Sequence, residues 1–313
     1  MTRWQYVMAR LLQMIPTLLV ILVLVFFMVR LLPGDPATAI LGDRVTDEAV
    51  ERINRQLGLD RPIPVQLAIF ARNVVQGDLG TSINLKVPVT RLIAERLPIT
   101  MGLTLYAGLV AALLAIPAAI LAALKRGTWI DGTIRGVFQV GLSLPVFYVA
   151  LQLLTLFGAR LSWFPVGGIG SSFGENLYYL FLPALSLGFY LAAMLMRNLR
   201  ASILEVLTAE YVDFARSKGL QPRAVLARHV LRNAMIGTVT LFGLSIGRLM
   251  GGAVITETVF AIPGVGRLMI DSIYGRDYSV VQGLTLAFAV VISLVFLLTD
   301  LVYTVLDPRT KMA

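Results

Sequence analysis

Residues 99–124 read ITMGLTLYAGLVAALLAIPAAILAAL, an apolar run without a single charged side chain. At 1.5 Å of rise per residue, a helix of this length is longer than the roughly 30 Å hydrocarbon core of a bilayer. Backbone N–H and C=O groups in lipid must be satisfied inside the segment, so the run predicts a transmembrane helix. Working outward, five more runs follow the same pattern: 11–29 between Arg10 and Arg30, 136–159, 177–196, 234–256 and 278–306. The fifth in chain order is interrupted by Arg248, and the last carries Asp300 near its end. Pro16, Pro117, Pro145 and Pro183 lie inside or at the edges of these runs, where neighbouring helices can satisfy the backbone groups they free. The reading is an all-α membrane protein with six crossings.

Composition agrees. Of 313 residues, 57% are hydrophobic and only 14% charged, whereas a soluble domain carries about 25% charged residues. The chain has no cysteine and one histidine, His229, which excludes disulfide frameworks, thiolate nucleophiles and multi-histidine metal sites. A net charge of +9 would suit nucleic acid, but its placement points to topology and away from such a partner. With the N-terminus inside, the inner pieces 1–10, 125–135, 197–233 and 307–313 hold 14 Lys/Arg against 5 Asp/Glu. The outer loops 160–176 and 257–277 hold 3 basic and 4 acidic residues, and the long segment 33–98 is neutral with 8 of each. This is the positive-inside distribution of a multi-pass protein with both termini in the cytoplasm. The basic start and the Ala37, Thr38, Ala39 stretch imitate a signal peptide, but the apolar run is longer than a signal core, so the first span is read as retained.

The chain therefore divides into 1–32 (inner N-terminus and first span), an external lobe 33–98, and a five-helix core 99–313 containing an inner loop 197–233. In the lobe, Thr46 is placed to cap a helix with Asp47 and Glu48 in its first turn, an apolar stripe of Val50, Ile53 and Leu57, and Gly58 at its end. Pro64 opens a second helix through Leu67, Phe70, Ala71 and Val74, stopped by Gly77.

The inner loop is the most informative hydrophilic stretch. Thr208 is placed to cap a short helix containing Glu210, Tyr211, Asp213, Phe214, Ala215, Arg216 and Lys218. Gly219 ends it with the left-handed residue a tight turn needs, before Leu220. Pro222 then starts a second helix with Arg223, Arg228, His229 and Arg232. Two readings stand side by side: a rigid knob that docks on a soluble partner, or an amphipathic loop lying on anionic headgroups.

These residues carry a resemblance. Asp213, Phe214 and Ala215, followed by Gly219 and Leu231, are similar to the coupling loop of bacterial ABC importer permeases, which has Glu-Ala-Ala, three residues, Gly, and later Ile-x-Leu-Pro. Here Asp213 and Phe214 replace Glu and the first Ala, His229 stands at the Ile position and Arg232 at the Pro. The longer string Glu210-Tyr-Val-Asp-Phe-Ala-Arg-Ser-Lys-Gly-Leu220 with Arg228-His-Val-Leu-Arg-Asn-Ala234 resembles the dipeptide/oligopeptide/nickel permease branch more specifically. So do Ile15-Pro-Thr-Leu-Leu19, Leu32-Pro-Gly-Asp-Pro36, Leu57-Gly-Leu-Asp60, Gly77-Asp-Leu-Gly-Thr-Ser82, Pro88-Val89, Trp163-Phe-Pro165, Glu257-Thr-Val-Phe-Ala-Ile-Pro-Gly-Val-Gly266, Asp277-Tyr278 and Asp307-Pro-Arg309. The lobe after the first span is similar to the B-type subunit.

The resemblance implies the six-helix type I importer permease fold in a bacterial inner membrane, with a periplasmic lobe. It implies membrane lipid around the chain, a homologous C-type permease beside it, and two cytoplasmic ABC ATPases that bind ATP and Mg. A periplasmic or lipid-anchored binding protein would deliver peptides or peptide-like solutes. The coupling residues would be Glu210 to Leu220 with Arg228 and His229. Glu257, Pro263, Gly264, Gly266, Asp271 and Asp277 would lie near the external mouth. Independently, none of Lys86, Lys125, Lys218 and Lys311 follows a glycine, so no P-loop is present and ATP hydrolysis is assigned to partners.

Arg248 has two readings: lining the path to meet a substrate carboxylate, or pairing with a neighbouring helix. Asp300 reads as a local pair or an interfacial residue, and His229 as a packing or hydrogen-bonding residue. Two other classes are weighed. An ion-coupled secondary transporter needs ionisable residues or broken helices at mid-membrane, and only Arg248 is deeply placed. An intramembrane enzyme needs a nucleophile–base pair or metal cluster in the spans, and neither is visible, so no catalytic residue and no cofactor or metal ligand is assigned to this chain.

Overall fold

The structure, a computed structural model, describes residues Arg3–Leu31 and 61–306. The helix expected over 47–58 and the motif pieces at 32–36, 57–60 and 307–309 lie outside the described residues. Within them the chain is helical, with an isolated β-bridge between Thr81 and Pro88. The helices are α1 (Arg3–Leu31), α2 (Ile63–Val75), α3 (Val89–Leu124), α4 (Trp129–Ser143), α5 (Val146–Leu153), α6 (Phe173–Tyr179), α7 (Phe181–Leu207), α8 (Glu210–Ser217), α9 (Arg232–Val259), α10 (Val265–Tyr274) and α11 (Tyr278–Leu306). A π-helical stretch, Leu154–Arg160, extends α5. A one-turn helix Pro222–Ala224 and a second π-helical stretch, Val225–Leu231, lead straight into α9.

Among the described residues, five helices are long and apolar enough to cross a bilayer, or six if the bent pair of α4 and α5 is counted as one span. That pair corrects the single span expected over 136–159: its two halves meet at 108°. Pro145 supplies the reason. A proline disfavours helical backbone in the residue before it, and Leu144 is extended at φ −92°, ψ 137°. The fourth span is also longer than expected. It continues through 197–207, so much of the expected inner loop is helix in register with α7, and the helix expected from Pro222 is the beginning of the fifth span.

The fold divides into two units, Met1–Pro98 with Arg267–Leu294, and Ile99–Gly266 with Val295–Ala313. In the first, Leu22 and Val25 of α1 bury with Leu286 against Leu67, Phe70, Ala71 and Val74 of α2. Pro64 sits in the first turn of α2, and Gly77 follows it at φ +79°, both as the sequence predicts.

The second unit is organised around α7. Its buried positions include Leu187, Leu191, Leu195, Leu199 and Ile203, flanked by small residues. Those small residues set helix separation: a Cβ on Gly188 would stand 2.5 Å from the Ala107 carbonyl oxygen, and one on Gly141 2.7 Å from the Phe189 ring. On α3 the buried alanines Ala107, Ala111, Ala115, Ala119 and Ala123 recur every fourth residue. In lipid the hydrophobic effect does not drive helices together, so packing of this close-approach kind carries the association.

Candidate functional site: an exposed knob and a buried knot

Helix α7 stops at Leu207, where the Thr208 hydroxyl donates to the Glu205 carbonyl at 2.8 Å. Thr208 thus closes α7 and does not cap the next helix, whose N-cap is Ala209. Helix α8 follows for eight residues, and Gly219, at φ +78°, turns the chain toward Pro222. Val212 and Ala215 are buried on the inner side of α8 and join the core that contains Val225 and Val230. Ala215 is therefore an anchor of the knob, not part of its face.

The opposite side is open. Glu210, Tyr211, Asp213, Phe214, Arg216, Lys218, Gly219, Leu220 and Arg228 are exposed, and His229 is half-buried. The Phe214 ring is 62% exposed with the Lys218 ammonium 4.4 Å from its centroid. Arg216 pairs with Asp213 at 3.0 Å, an exposed contact worth a few tenths of a kcal/mol at most. Asn233, not singled out in the sequence, locks the knob to α9: its amide nitrogen donates to the Tyr211 hydroxyl and to the His229 carbonyl, both at 2.9 Å.

A strut lies on the same helix that carries the knob. Arg200 of α7 grips Asp131 of α4 with two parallel bonds, Nε to Oδ1 at 2.8 Å and Nη2 to Oδ2 at 2.7 Å. The Asp131 side chain is 2% exposed and also accepts from the Gly127 amide at 3.2 Å. Bidentate guanidinium–carboxylate geometry fixes both partners. Sequence reasoning counted these two residues only as topological charge.

At the C-terminal end of α9, in the second unit, the chain forms a knot. Glu257 is fully buried, and its Oε1 accepts from the Thr100 hydroxyl at 2.5 Å. The same hydroxyl accepts from the Val265 amide at 3.0 Å. Gly264 and Gly266 are required for this approach. A Cβ on Gly264 would lie 2.3 Å from the Glu257 carboxylate, and one on Gly266 2.6 Å from Cα of Val254. Nearby, the Phe260 carbonyl accepts from the Gly168 amide at 3.0 Å, which ties in the 160–170 loop. That loop has its own brace: Glu175 accepts from the Ser171 hydroxyl and amide, both at 2.7 Å, and these bonds hold its carboxyl below the usual carboxylate range.

Asp277, in the first unit, plays a similar part. Its Oδ2 accepts from the Ser82 hydroxyl at 2.5 Å and from the Asn84 amide at 3.2 Å, while Oδ1 accepts from the Val280 amide at the start of α11. Of the residues expected near the external mouth, Gly264, Gly266, Glu257 and Asp277 are thus buried and Pro263 is half-buried. Buried groups of this kind present no surface of their own to a partner in this structure. Asp271 is exposed, next to Ile273 and Tyr274, two exposed side chains not singled out in the sequence.

Arg248 stands on the exposed side of α9, and among the described residues it makes no ion pair or hydrogen bond within the chain.

Comparison with known proteins adds the following. A family model described as the binding-protein-dependent transport system inner membrane component matches residues 115–312, and one for the N-terminal part of such components matches 3–104. A glutathione transport system permease protein of Pectobacterium atrosepticum is 41% identical over 306 residues, 98% of each chain. A Brucella abortus (strain 2308) chain named as a peptide transport system permease is 39% identical over 308 residues, 97% of this chain and 98% of its own. Among solved structures, an inward-facing MetNI methionine ABC transporter chain superposes with TM-score 0.58 at 16% identity, covering 69% of this chain and 96% of that one. At that identity the likeness concerns the fold alone, and it is the type I permease fold that the sequence resemblance implies.

Proposed function

Because the chain belongs to the inner membrane components of binding-protein-dependent transport systems, as an ABC importer permease of the dipeptide/oligopeptide-like branch, we propose that it is the B-type subunit of an importer for peptides or peptide-like solutes, glutathione included. It forms half of a translocation path with a homologous C-type permease in a bacterial inner membrane, both termini in the cytoplasm. Two cytoplasmic ATPases hold ATP and Mg, and a periplasmic or lipid-anchored binding protein delivers the cargo. No catalysis is assigned to this chain.

The observation that carries the reading is the inner knob. Helix α8 exposes Tyr211, Phe214 and a set of charges, yet it is pinned through Val212, Ala215 and Asn233 to the helices that continue as the fourth and fifth spans. A force applied to Phe214 by a closing ATPase is delivered to α7 and α9 without slack. Transport then follows from differential affinity: the path alternates because ATP and the loaded binding protein each stabilise one state over the other. The outer knot keeps the external end of α9 fixed to α3 while the inner end is driven.

Uptake of a radiolabelled dipeptide by proteoliposomes tests this. Transport is expected to require the co-reconstituted ATPases, ATP and the binding protein. Uptake that persists without them and follows a proton or sodium gradient would replace this reading with a secondary transporter.

A further inference from the structure

We propose that Arg248 is the carboxylate-binding residue of the path, selecting cargo that carries a free carboxylate; this rests on the importer reading above. The exposed faces of the spans differ in character. On α1 the exposed side chains include Leu11, Leu12, Ile15, Leu19, Val20 and Leu24, and on α3 Leu105, Leu109, Leu113 and Leu121. These are apolar, with Gln13 and Thr17 the exposed polar residues among them on α1. The exposed stripe of α9 is of another kind: Asn233, Gly237, Leu244, Arg248, Gly251, Ile255 and Thr258 recur at helical spacing. It is polar at both ends and cationic between them.

Depth makes the charge consequential. Arg248 is eleven residues from Val259 and sixteen from Arg232, or about 16 Å and 24 Å along the helix axis. Neither end of the span is within easy reach. A guanidinium does not deprotonate in proteins, so it cannot escape its position by neutralising. Facing lipid, such a charge is strongly unfavourable. It has no partner within the chain among the described residues. Beside it, no atom of this chain lies within 4 Å of the position a Cβ on Gly251 would take. A planar fork of N–H donors with no partner in its own chain is suited to a planar anion, and carboxylate matches it bidentately.

The test uses the whole importer in proteoliposomes, with a tripeptide and its C-terminal amide as probes, each at a concentration that saturates the binding protein. For Arg248→Gln, uptake of the acid is expected to fall about tenfold, toward the rate of the amide, whose own rate is unchanged. Arg248→Lys is expected to recover much of the acid's rate, and copurification with the partner subunits is expected to be normal in both variants. Equal losses for acid and amide, an unchanged acid rate, or loss of the partner permease in Arg248→Gln with rescue by Lys would each overturn the proposal. The last result would identify an intersubunit ion pair. If the unaltered importer moves neither probe, the importer reading itself fails, which the variants do not mimic.

Discussion

The segments at the two ends of α9 look alike in sequence and differ in the folded chain. Residues 209–220 and 257–277 both follow a long apolar helix, both mix charges with glycines, and both carry part of the family pattern. At the inner end the charged and aromatic residues face outward, and two small apolar residues, Val212 and Ala215, hold α8 in place. In 257–277 the arrangement is inverted: Glu257 of the second unit and Asp277 of the first are each turned inward as a hydrogen-bond hub, 0% and 1% exposed, and the glycines let backbone come close to a carboxylate or a neighbouring helix. The same composition thus makes an exposed face in one place and buried hydrogen-bond hubs in the other. A joint at one end and a handle at the other is what a helix needs if motion imposed at the handle is to rearrange the membrane-embedded part between them.

The largest effects on stability are therefore expected at the outer joint. Gly264→Val places atoms where the Glu257 carboxylate already sits, and Glu257→Ala leaves the Thr100 hydroxyl without its acceptor. Each should cost at least 1–3 kcal/mol and lower the yield of folded, detergent-extracted protein in size-exclusion chromatography. A monodisperse Gly264→Val variant with unaltered melting temperature would remove the distinction between joint and surface.

Within the outer segment, Asp277→Ala should come next. It removes the acceptor for Ser82 and Asn84 and the Val280 amide cap at the start of α11, a loss of about 1–2 kcal/mol. A fall in melting temperature smaller than that of Glu257→Ala, with Asp277→Asn intermediate, is the expected pattern. Asp277→Ala at the full melting temperature would mean that burial alone does not make a strut.

Much of this architecture was legible in the sequence, and the parts that were not share a cause. The spans, the helix opened by Pro64, and the stops at Gly77 and Gly219 follow from local signals, namely apolar length, a fixed proline φ and left-handed glycines. The bend at Pro145 was hidden because hydropathy continues across it, although proline does mark the position. The continuation of α7 to Leu207 was hidden because its last turns are polar, and polarity was read as a loop. Burial of Glu257 could not be read locally at all. Its partner Thr100 lies 157 residues away, and a carboxylate beside a proline–glycine turn looks exposed until that partner is placed. The pairing of Asp131 with Arg200, 69 residues apart, is of the same kind.

The smallest effect on stability, and the most direct test of the account, belongs to the inner knob. Phe214→Ala removes an exposed ring and should change the chain's own stability by no more than about 0.5 kcal/mol. The measurement is a pull-down from mildly solubilised membranes, with the native chain and Phe214→Ala compared for the second permease and the ATPases. The expected result is that both retain the second permease and that Phe214→Ala alone loses the ATPases. ATPases retained equally by both, or recovered with neither, would contradict a coupling role for α8.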